Sequence, residues 1–275
     1  MTTRFLALLF LAASATAQET IVDRAPTPFV EGGKPVCLEV VIYKPPGNGP
    51  FPTVMFNHGS TGNGDKPELF KRTYSPPDIA RHFTERGWMI AFPQRRGRGN
   101  SGGTYDEGFE PDRSRYSCNP QYSLPGVDRA IQDLDAALDY LRSRPDVDQK
   151  RMIVAGQSRG GALAIAYAGE HPDVFRAAID FSGGWLGEAC SGSKLVNART
   201  FARGGRFKGP TLWLYAENDP FYSIAFDRSN FDAFRAAGGQ GVFKAFEVLP
   251  GESGHMLVAH PELWGPAVDQ LLKLQ

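Results

Sequence analysis

Short apolar runs alternate with segments of helical periodicity along most of the chain. Most of these runs are apolar at successive positions and rich in Val, Ile, Leu and Phe, which predicts strands covered on both faces. The predicted strands are VCLEVVIYK (36–44), PTVMFN (52–57), WMIAFP (88–93), MIVAG (152–156), AAIDF (177–181), TLWLYA (211–216) and FKAFEVL (243–249). Helices between such strands indicate an α/β fold with a mostly parallel sheet covered on both faces. We expect the first two strands, joined by the turn-forming PPGNGP, to be its antiparallel edge.

Helical segments are predicted between these strands. Ser75 is the expected N-cap of the short helix IARHFTERG, and apolar residues recur at helical spacing from Val127 to Leu141. Further helices are predicted at ALAIAYAGEH (162–171), SNFDAFRAAGG (229–239) and the closing PAVDQLLKL. Residues 94–124 and 185–209 lack periodicity, so we expect two irregular excursions. They would shape the crevice at the carboxyl ends of the strands, where ligands bind in such sheets.

The N-terminal stretch MTTRFLALLFLAASATA (1–17) is typical of a secretory signal peptide. Arg4 is its positive start, Phe5 to Leu11 its apolar stretch, and Ala15 to Ala17 its small-residue cleavage site. The apolar stretch is too short to cross a bilayer, so we predict no membrane insertion. We expect a secreted or periplasmic protein after cleavage near Ala17. Residues 18–275, without repeats or an obvious linker, are expected to form a single domain.

The overall charge is balanced, with 30 basic and 30 acidic residues. Arg95, Arg96 and Arg98 cluster in a glycine-rich loop without a basic helix or an aromatic platform, so we predict no nucleic-acid partner. We interpret these arginines as loop structure or a solvated face, with binding of a substrate carboxylate as the alternative. The cysteine spacings match no zinc pattern, and we predict neither a metal nor another cofactor. The oligomeric state is left open.

A single serine, Ser158, directly follows the predicted strand MIVAG and lies between Gly156 and Gly160. Glycines permit a tight strand–turn–helix on which the serine hydroxyl is exposed at a helix N-terminus. Asp219 follows the strand TLWLYA, and His255 follows FKAFEVL. A serine nucleophile needs an imidazole to accept its proton and a carboxylate to orient that imidazole. The sequence therefore predicts a catalytic triad of Ser158, His255 and Asp219.

The motifs GQSRGG, NHGS, RRGRGNSGG, YAENDP and SGH resemble those of the α/β-hydrolase superfamily. Within it, the chain is similar to dienelactone-hydrolase-like enzymes and prolyl-oligopeptidase-type catalytic domains, over residues 35–273. The resemblance implies an α/β-hydrolase fold and an oxyanion hole just after the His58-Gly59 pair. Its donors would be the backbone amides of Ser60 and Arg159, with Thr61 as second choice for the first.

Other residues compete for the triad roles. Glu217 and Asp227 are alternatives to Asp219, which the resemblance favours because it occupies the family's position. Three histidines are assigned structural roles because they lie within or at the ends of predicted helices: His82, His171 and His260.

We hypothesise a secreted serine hydrolase that cleaves a short or compact carboxylic ester through an acyl-enzyme. Dienelactone hydrolases use a cysteine nucleophile, so the serine of this chain favours an ester or amide over a dienelactone. A peptidase or amidase acting on small peptide-like substrates is the alternative, because prolyl-oligopeptidase relatives share this catalytic core. The short segment before VCLEVVIYK lacks their propeller and favours the esterase. A non-catalytic binding protein of the same fold is the remote alternative.

The irregular excursions provide candidates for the substrate pocket. Trp185 and Tyr105 are the two candidate pocket residues. Residues 104–123 carry aromatic rings among charged residues and turn formers, and we expect this segment to lie over the crevice mouth. That placement favours short or compact esters over long-chain lipids. The identities of the acyl and leaving groups stay open.

The positions of the three cysteines predict one disulfide and one free thiol. Cys118 and Cys190 belong to excursions that both leave the carboxyl ends of the sheet, so we predict a disulfide between them. Cys37 lies in the strand VCLEVVIYK and is expected to be reduced and buried.

Overall fold

An eight-stranded sheet runs through the protein, whose computed structural model describes residues 19–61, 66–247 and 251–275. The strands are β1 (Glu19–Glu31), β2 (Lys34–Lys44), β3 (Phe51–Asn57), β4 (Met89–Pro93), β5 (Val147–Gln157), β6 (Phe175–Phe181), β7 (Thr211–Ala216) and β8 (Gly241–Phe246). Their order across the sheet is β1-β2-β4-β3-β5-β6-β7-β8. The predicted signal peptide and its cleavage site lie outside the described residues.

The sheet is mostly parallel, as predicted. The pairs from β4 across to β8 are parallel, whereas β1–β2 and β2–β4 are antiparallel. The predicted antiparallel pairing of β2 with β3 is wrong, because β4 lies between them. The antiparallel edge is β1 with β2. β1 was not predicted because its residues are mostly exposed or half-buried, with only Ala25 fully buried, so it has no apolar run.

Helices cover both faces of the sheet. They are α1 (Pro67–Phe70), α2 (Pro77–Thr84), α3 (Pro120–Ser143), α4 (Arg159–Glu170), α5 (Ser193–Ala202), α6 (Ile224–Ala236) and α7 (Pro261–Leu272), with 3₁₀ turns at Arg203–Arg206 and Gly254–Ala259. Apolar residues of α3, α4, α5 and α6 pack on one face of the sheet, and those of α2 and α7 pack on the other.

Several helix predictions need correction. α2 begins at Pro77 with Pro76 at the N-cap, so Ser75 is not the cap residue. α3 starts at Pro120, before the periodic segment, because the Asn119 side chain accepts a hydrogen bond from the Gln121 amide at 2.9 Å. α5 lies inside the stretch expected to be irregular, since its apolar residues do not follow a helical period.

The sheet places its functional residues at one edge, the carboxyl ends of its parallel strands. Ser158 follows β5, Asp219 follows β7, and His255 comes after β8. α4 begins beneath Ser158 and is buried along almost its whole length, because its small residues allow close packing on the sheet. Within the described ranges, no helix has both the length and the apolar character needed to cross a membrane.

Candidate active site

Ser158 occupies a strained turn between β5 and α4, with φ +56° and ψ −125°. A β-carbon at Gly156 would collide with the carbonyl of Gly160, and one at Gly160 would collide with that of Asn57. Only glycine therefore fits at these two positions, each two residues from the serine. The Ser158 amide donates a hydrogen bond to the Phe181 carbonyl at 2.9 Å, which ties the turn to β6. Backbone strain held in this way is typical of a nucleophile elbow.

His255 is oriented by a carboxylate that is itself fixed. Its Nδ1 lies 2.8 Å from Asp219 Oδ2. The other carboxyl oxygen of Asp219 accepts hydrogen bonds from the amides of Phe221 (2.8 Å) and Tyr222 (3.3 Å). The Asp219 side chain is only 2% exposed, so these contacts are shielded from water. The carboxylate therefore favours the proton on Nδ1 and leaves Nε2 as the acceptor.

Ser158 and His255 line the same cavity, of about 260 Å³. No hydrogen bond joins their side chains among the described contacts, and catalytic hydrogen bonds are often long in unliganded structures. The His255 ring is held edge-on against Phe221, with ring centroids 4.7 Å apart, and next to Tyr222 at 5.7 Å. The structure thus brings the three predicted triad residues to one site.

The competing acids do not contact His255. Glu217 is exposed. Asp227 is fully buried, and neither of its carboxyl oxygens has a hydrogen-bond partner among the described residues. Burial, followed by the nearby Asp219 charge, raises the pKa of Asp227 to about 9, so this side chain is neutral at pH 7.

The three histidines with predicted structural roles do not line this cavity. His82 is buried 3.1 Å from Asp269, and burial lowers its pKa to about 4. His171 lies 3.1 Å from Asp135 at the end of α4. His260 is the N-cap residue of α7.

His58 holds the backbone at the predicted oxyanion hole after β3 in place. His58 Nδ1 donates to the Gly59 carbonyl at 2.7 Å, and His58 Nε2 accepts from the Arg95 amide at 3.1 Å. Burial, with help from the Arg95 charge, keeps the pKa of His58 well below its usual value, so the ring is neutral and this tautomer satisfies both contacts. Because the carbonyl and amide of a trans peptide point in opposite directions, holding the Gly59 carbonyl turns the Ser60 amide the other way.

Both proposed oxyanion donors lie near the nucleophile. A β-carbon at Gly59 would lie 3.0 Å from Ser158 Cβ, so the chain leading to Ser60 passes beside the nucleophile. Ser60 lines the cavity with Arg159, whose amide begins α4 and has no partner within the helix. The second choice, Thr61, is engaged elsewhere, because its amide donates to the Tyr116 hydroxyl at 3.3 Å.

The cavity wall includes one predicted aromatic residue and excludes another. The lining residues are Ser60, Tyr116, Ser158, Arg159, Trp185, Leu186, Gly187, Cys190, Phe221, Tyr222 and His255. Trp185 is where we expected it. Tyr105 is not in the wall: it is 2% exposed, and its hydroxyl lies behind the wall, 3.0 Å from that of Tyr116.

The segment 104–123 contributes less to the cavity than predicted for a segment over the crevice mouth. Of its aromatic residues, Phe109 is buried with Tyr105, Tyr122 lines a separate surface depression, and only Tyr116 reaches the cavity. The sequence does not distinguish Tyr116 from its neighbours, because its position depends on contacts with distant residues.

The clustered arginines are buried, so the expectation of a solvated face is wrong. Arg95 pairs with Glu107, Arg96 pairs with Asp133, and Arg98 donates to a backbone carbonyl. Each of the three is at most 7% exposed and none lines the cavity, so they are loop structure and not a carboxylate-binding surface.

The side chain of Arg159 joins the two walls of the cavity. Its guanidinium lies 3.8 Å from the Tyr116 ring centroid and 4.5 Å from that of Trp185. It also donates to the carbonyls of Trp185 (3.0 Å) and Glu107 (2.9 Å). Burial alone would raise the pKa of Glu107, but the charges of Arg95 and Arg159 hold it below its usual value. The Arg159 charge is thus balanced within the protein.

A disulfide also connects the walls. Cys118 and Cys190 are bonded, with Cα atoms 5.3 Å apart. Cys37 has a free thiol, as expected, but it is half-buried where we expected it to be buried. No group of three or more His, Cys, Asp or Glu side chains within the described ranges is arranged to hold a metal ion.

The chain matches the sequence profile of the Dienelactone hydrolase family over residues 38–248. A proposed carboxymethylenebutenolidase from Methylorubrum extorquens is 24% identical over 211 residues, which are 77% of this chain and 65% of that protein. The chain spans less than two thirds of the length of the curated relatives it matches.

Solved structures share the fold. An acetyl xylan esterase from Paenibacillus sp. R4 superimposes with a TM-score of 0.59 at 16% identity, covering 94% of this chain and 89% of that one. The acylaminoacyl peptidase of Pyrococcus horikoshii gives a TM-score of 0.60 at 16% identity, covering 89% of this chain and 39% of that one. At such identities the likeness concerns the fold alone. It confirms the α/β-hydrolase fold implied by the motifs.

Proposed function

Since the chain belongs to the dienelactone hydrolase family, we propose that it is a serine hydrolase that cleaves a short or compact carboxylic ester through an acyl-enzyme. One observation carries the proposal. Ser158, on its strained turn, shares a cavity with His255, whose Nδ1 contacts the buried Asp219 carboxylate. That arrangement suits nucleophilic acyl transfer.

The proposed reaction has two steps. In the first, His255 Nε2 accepts the Ser158 proton as Oγ attacks the ester carbonyl, and the imidazolium then protonates the departing alkoxide. In the second, His255 activates a water that attacks the acyl-enzyme, and the proton returns to Ser158 Oγ. The Asp219 carboxylate stabilises the imidazolium in both steps. The amides of Ser60 and Arg159 receive the oxyanion of each tetrahedral intermediate.

The size and walls of the cavity support a compact substrate. Its volume of about 260 Å³ is slightly below the usual range for small-molecule sites, which is roughly 300–1,000 Å³. The aromatic walls of the cavity are Tyr116, Trp185 and Tyr222. The disulfide between Cys118 and Cys190 ties the segment that carries Tyr116 to the opposite wall. A short acyl chain or a single ring fits such walls better than a long lipid chain.

An amidase or peptidase acting on small substrates is the second candidate, and it rests on the structural likeness to an acylaminoacyl peptidase. The cavity argues against an aminopeptidase. No Asp or Glu is among the described residues that line it, so a substrate ammonium group has no anionic partner there. We therefore place ester hydrolysis first.

We also propose that the protein is exported, to the periplasm or the cell exterior. Residues 1–17 have the composition of a signal peptide. The bond between Cys118 and Cys190 supports the same compartment, because disulfides persist where the environment is oxidising.

A panel of chromogenic esters and aminoacyl anilides tests the function. We expect turnover of p-nitrophenyl acetate and butyrate, little turnover of the octanoate, and loss of activity by about three orders of magnitude or more in Ser158→Ala. Ser143→Ala, at an exposed serine on α3, is the matched control and should retain full activity. Faster turnover of the anilides would favour the amidase, and equal activity of Ser158→Ala and wild type would refute the serine mechanism.

A further inference from the structure

Tyr116 contacts the chain beside both proposed oxyanion donors. Its hydroxyl lies 3.3 Å from the Thr61 amide and 3.0 Å from Thr61 Oγ1, next to the Ser60 donor. Its ring faces the guanidinium of Arg159, the residue that supplies the other donor, at 3.8 Å. The Tyr116 side chain thus contacts the residue after one proposed donor and the side chain of the other.

The Ser60 amide belongs to the Gly59–Ser60 peptide, and side chains hold both that peptide and the next one. His58 holds the first of these peptides through the Gly59 carbonyl. The following peptide is held by Tyr116, which is the only hydrogen-bond partner of the Thr61 amide and hydroxyl among the described residues. Ser60 and Thr61 are both half-buried, so little packing replaces that contact.

Tyr116 itself is firmly placed. Its ring stacks on Phe109 with centroids 4.5 Å apart, and its hydroxyl is 3.0 Å from that of Tyr105. The Cys118–Cys190 bond anchors the chain two residues further on. A tyrosine held at its ring, hydroxyl and backbone can restrain the half-buried Ser60–Thr61 segment at little further entropic cost.

We propose that Tyr116 is a positioning residue of the oxyanion hole. Its hydroxyl fixes the Ser60–Thr61 peptide so that the Ser60 amide is already aimed at the developing oxyanion before substrate binds. Stabilisation of this kind depends on donors that need no reorganisation during the reaction. The proposal rests on the proposed serine-hydrolase function.

Tyr116→Phe tests the role, because phenylalanine keeps the ring contacts and removes only the hydroxyl. Loss of an oxyanion donor lowers kcat by about 10²–10³, so loss of a support for one donor is expected to lower kcat by about tenfold. KM should change by less than about threefold, since the donor acts on the transition state and not on substrate binding. Acetate and butyrate esters should lose the same factor, and the rate of Ser158 labelling by a fluorophosphonate should fall in parallel.

Tyr122→Phe is the matched control. Tyr122 lies in the same excursion, lines a different depression, and its hydroxyl has no hydrogen bond among the described residues. It should keep wild-type rates. Thermal unfolding of both variants checks the fold, and a variant that is unstable but otherwise fully active would assign Tyr116 a structural role only.

Three further outcomes separate the possibilities. Unchanged kcat and labelling rate in Tyr116→Phe would overturn the positioning role while leaving the serine hydrolase intact. A loss that differs strongly between acetate and butyrate would mean that the hydroxyl contacts the acyl group, which also overturns the proposal. Failure of the wild type to label at Ser158 would overturn the proposed function itself.

Discussion

Asp219 Oδ2 lies 2.8 Å from His255 Nδ1, although the two residues come from different loops after different strands. Two backbone amides hold the other oxygen of the carboxylate. The acid is therefore aligned by rigid backbone and excluded from solvent, which is what a carboxylate needs in order to fix an imidazole tautomer.

Asp219→Asn is expected to keep the fold and to lower kcat by up to about 10⁴, because an amide permits the wrong imidazole tautomer. Ester turnover together with thermal unfolding measures both effects. Glu217→Gln, at the exposed acid two residues earlier, is the matched control and should retain activity. If the glutamine variant were the slower of the two, the acid would be assigned wrongly.

The raised pKa of Asp227 predicts that the free energy of unfolding depends on pH. The folded state holds its proton up to about pH 9, whereas an unfolded aspartic acid loses it near its ordinary pKa of 3.8. Between pH 6.5 and 8.5 the folded protein thus binds one proton more than the unfolded chain at this site. Asp227 alone therefore lowers the free energy of unfolding as the pH rises, by at most about 1.4 kcal/mol per pH unit. Asp180, whose pKa is raised to about 8 by burial, adds a contribution of the same sign.

Asp227→Asn should flatten that decline, because asparagine carries no titrating proton. Urea unfolding at pH 6.5 and 8.5 measures the difference, and the variant should gain stability relative to wild type at the higher pH. Asp173→Asn replaces an exposed carboxyl and should leave the slope unchanged. Parallel curves for wild type and Asp227→Asn would show that the buried carboxyl is already ionised.

The disulfide gives a third prediction. Mass mapping of protein produced under oxidising conditions should find Cys118 linked to Cys190 and one free thiol, at Cys37. Replacing both bonded cysteines with serine should lower the free energy of unfolding by about 2–4 kcal/mol, because the bond closes a long loop. Cys37→Ser should change it much less. Three free thiols in freshly isolated protein would contradict the bond.

Sequence patterns predicted most of the central sheet because its strands are buried on both faces. The strand Thr211–Ala216 has the predicted bounds, and the three triad candidates follow strands as expected. The edge strand β1 was not predicted, because an edge strand needs no apolar run. Its Pro26 and Pro28 are residues that usually signal a turn, and an edge strand tolerates them.

The cavity wall was harder to predict because long-range contacts select its members. Tyr105 and Tyr116 lie in the same excursion and have the same side chain. Only Tyr116 reaches the cavity, because its ring faces Arg159, a residue of α4. Arg95 is buried for a similar reason, since Glu107 folds back to neutralise it. Neither pairing has a local periodicity that sequence analysis could detect.

The final prediction concerns acyl-chain length, which the cavity wall should control. A β-carbon at Gly187 would meet Phe221 atoms at 3.7–4.0 Å, which is ordinary contact, so Gly187→Ala should fold and narrow the cavity. Leu186, 3% exposed and in the same wall, is the complementary site, because Leu186→Ala should widen it. The ratio of kcat/KM for butyrate to that for acetate should therefore fall in the glycine variant and rise in the leucine variant.

The magnitude follows from the size of the change. One methylene group in an apolar pocket discriminates by about 10- to 200-fold, so we expect the ratio to shift by about tenfold in each direction. Leu195→Ala removes an exposed leucine outside the cavity wall and should leave the ratio unchanged. Thermal unfolding is measured alongside, because the loss of a buried leucine costs about 2–5 kcal/mol. Ratios that do not change in either wall variant would place the acyl chain outside this cavity, and the leaving group would then be its occupant.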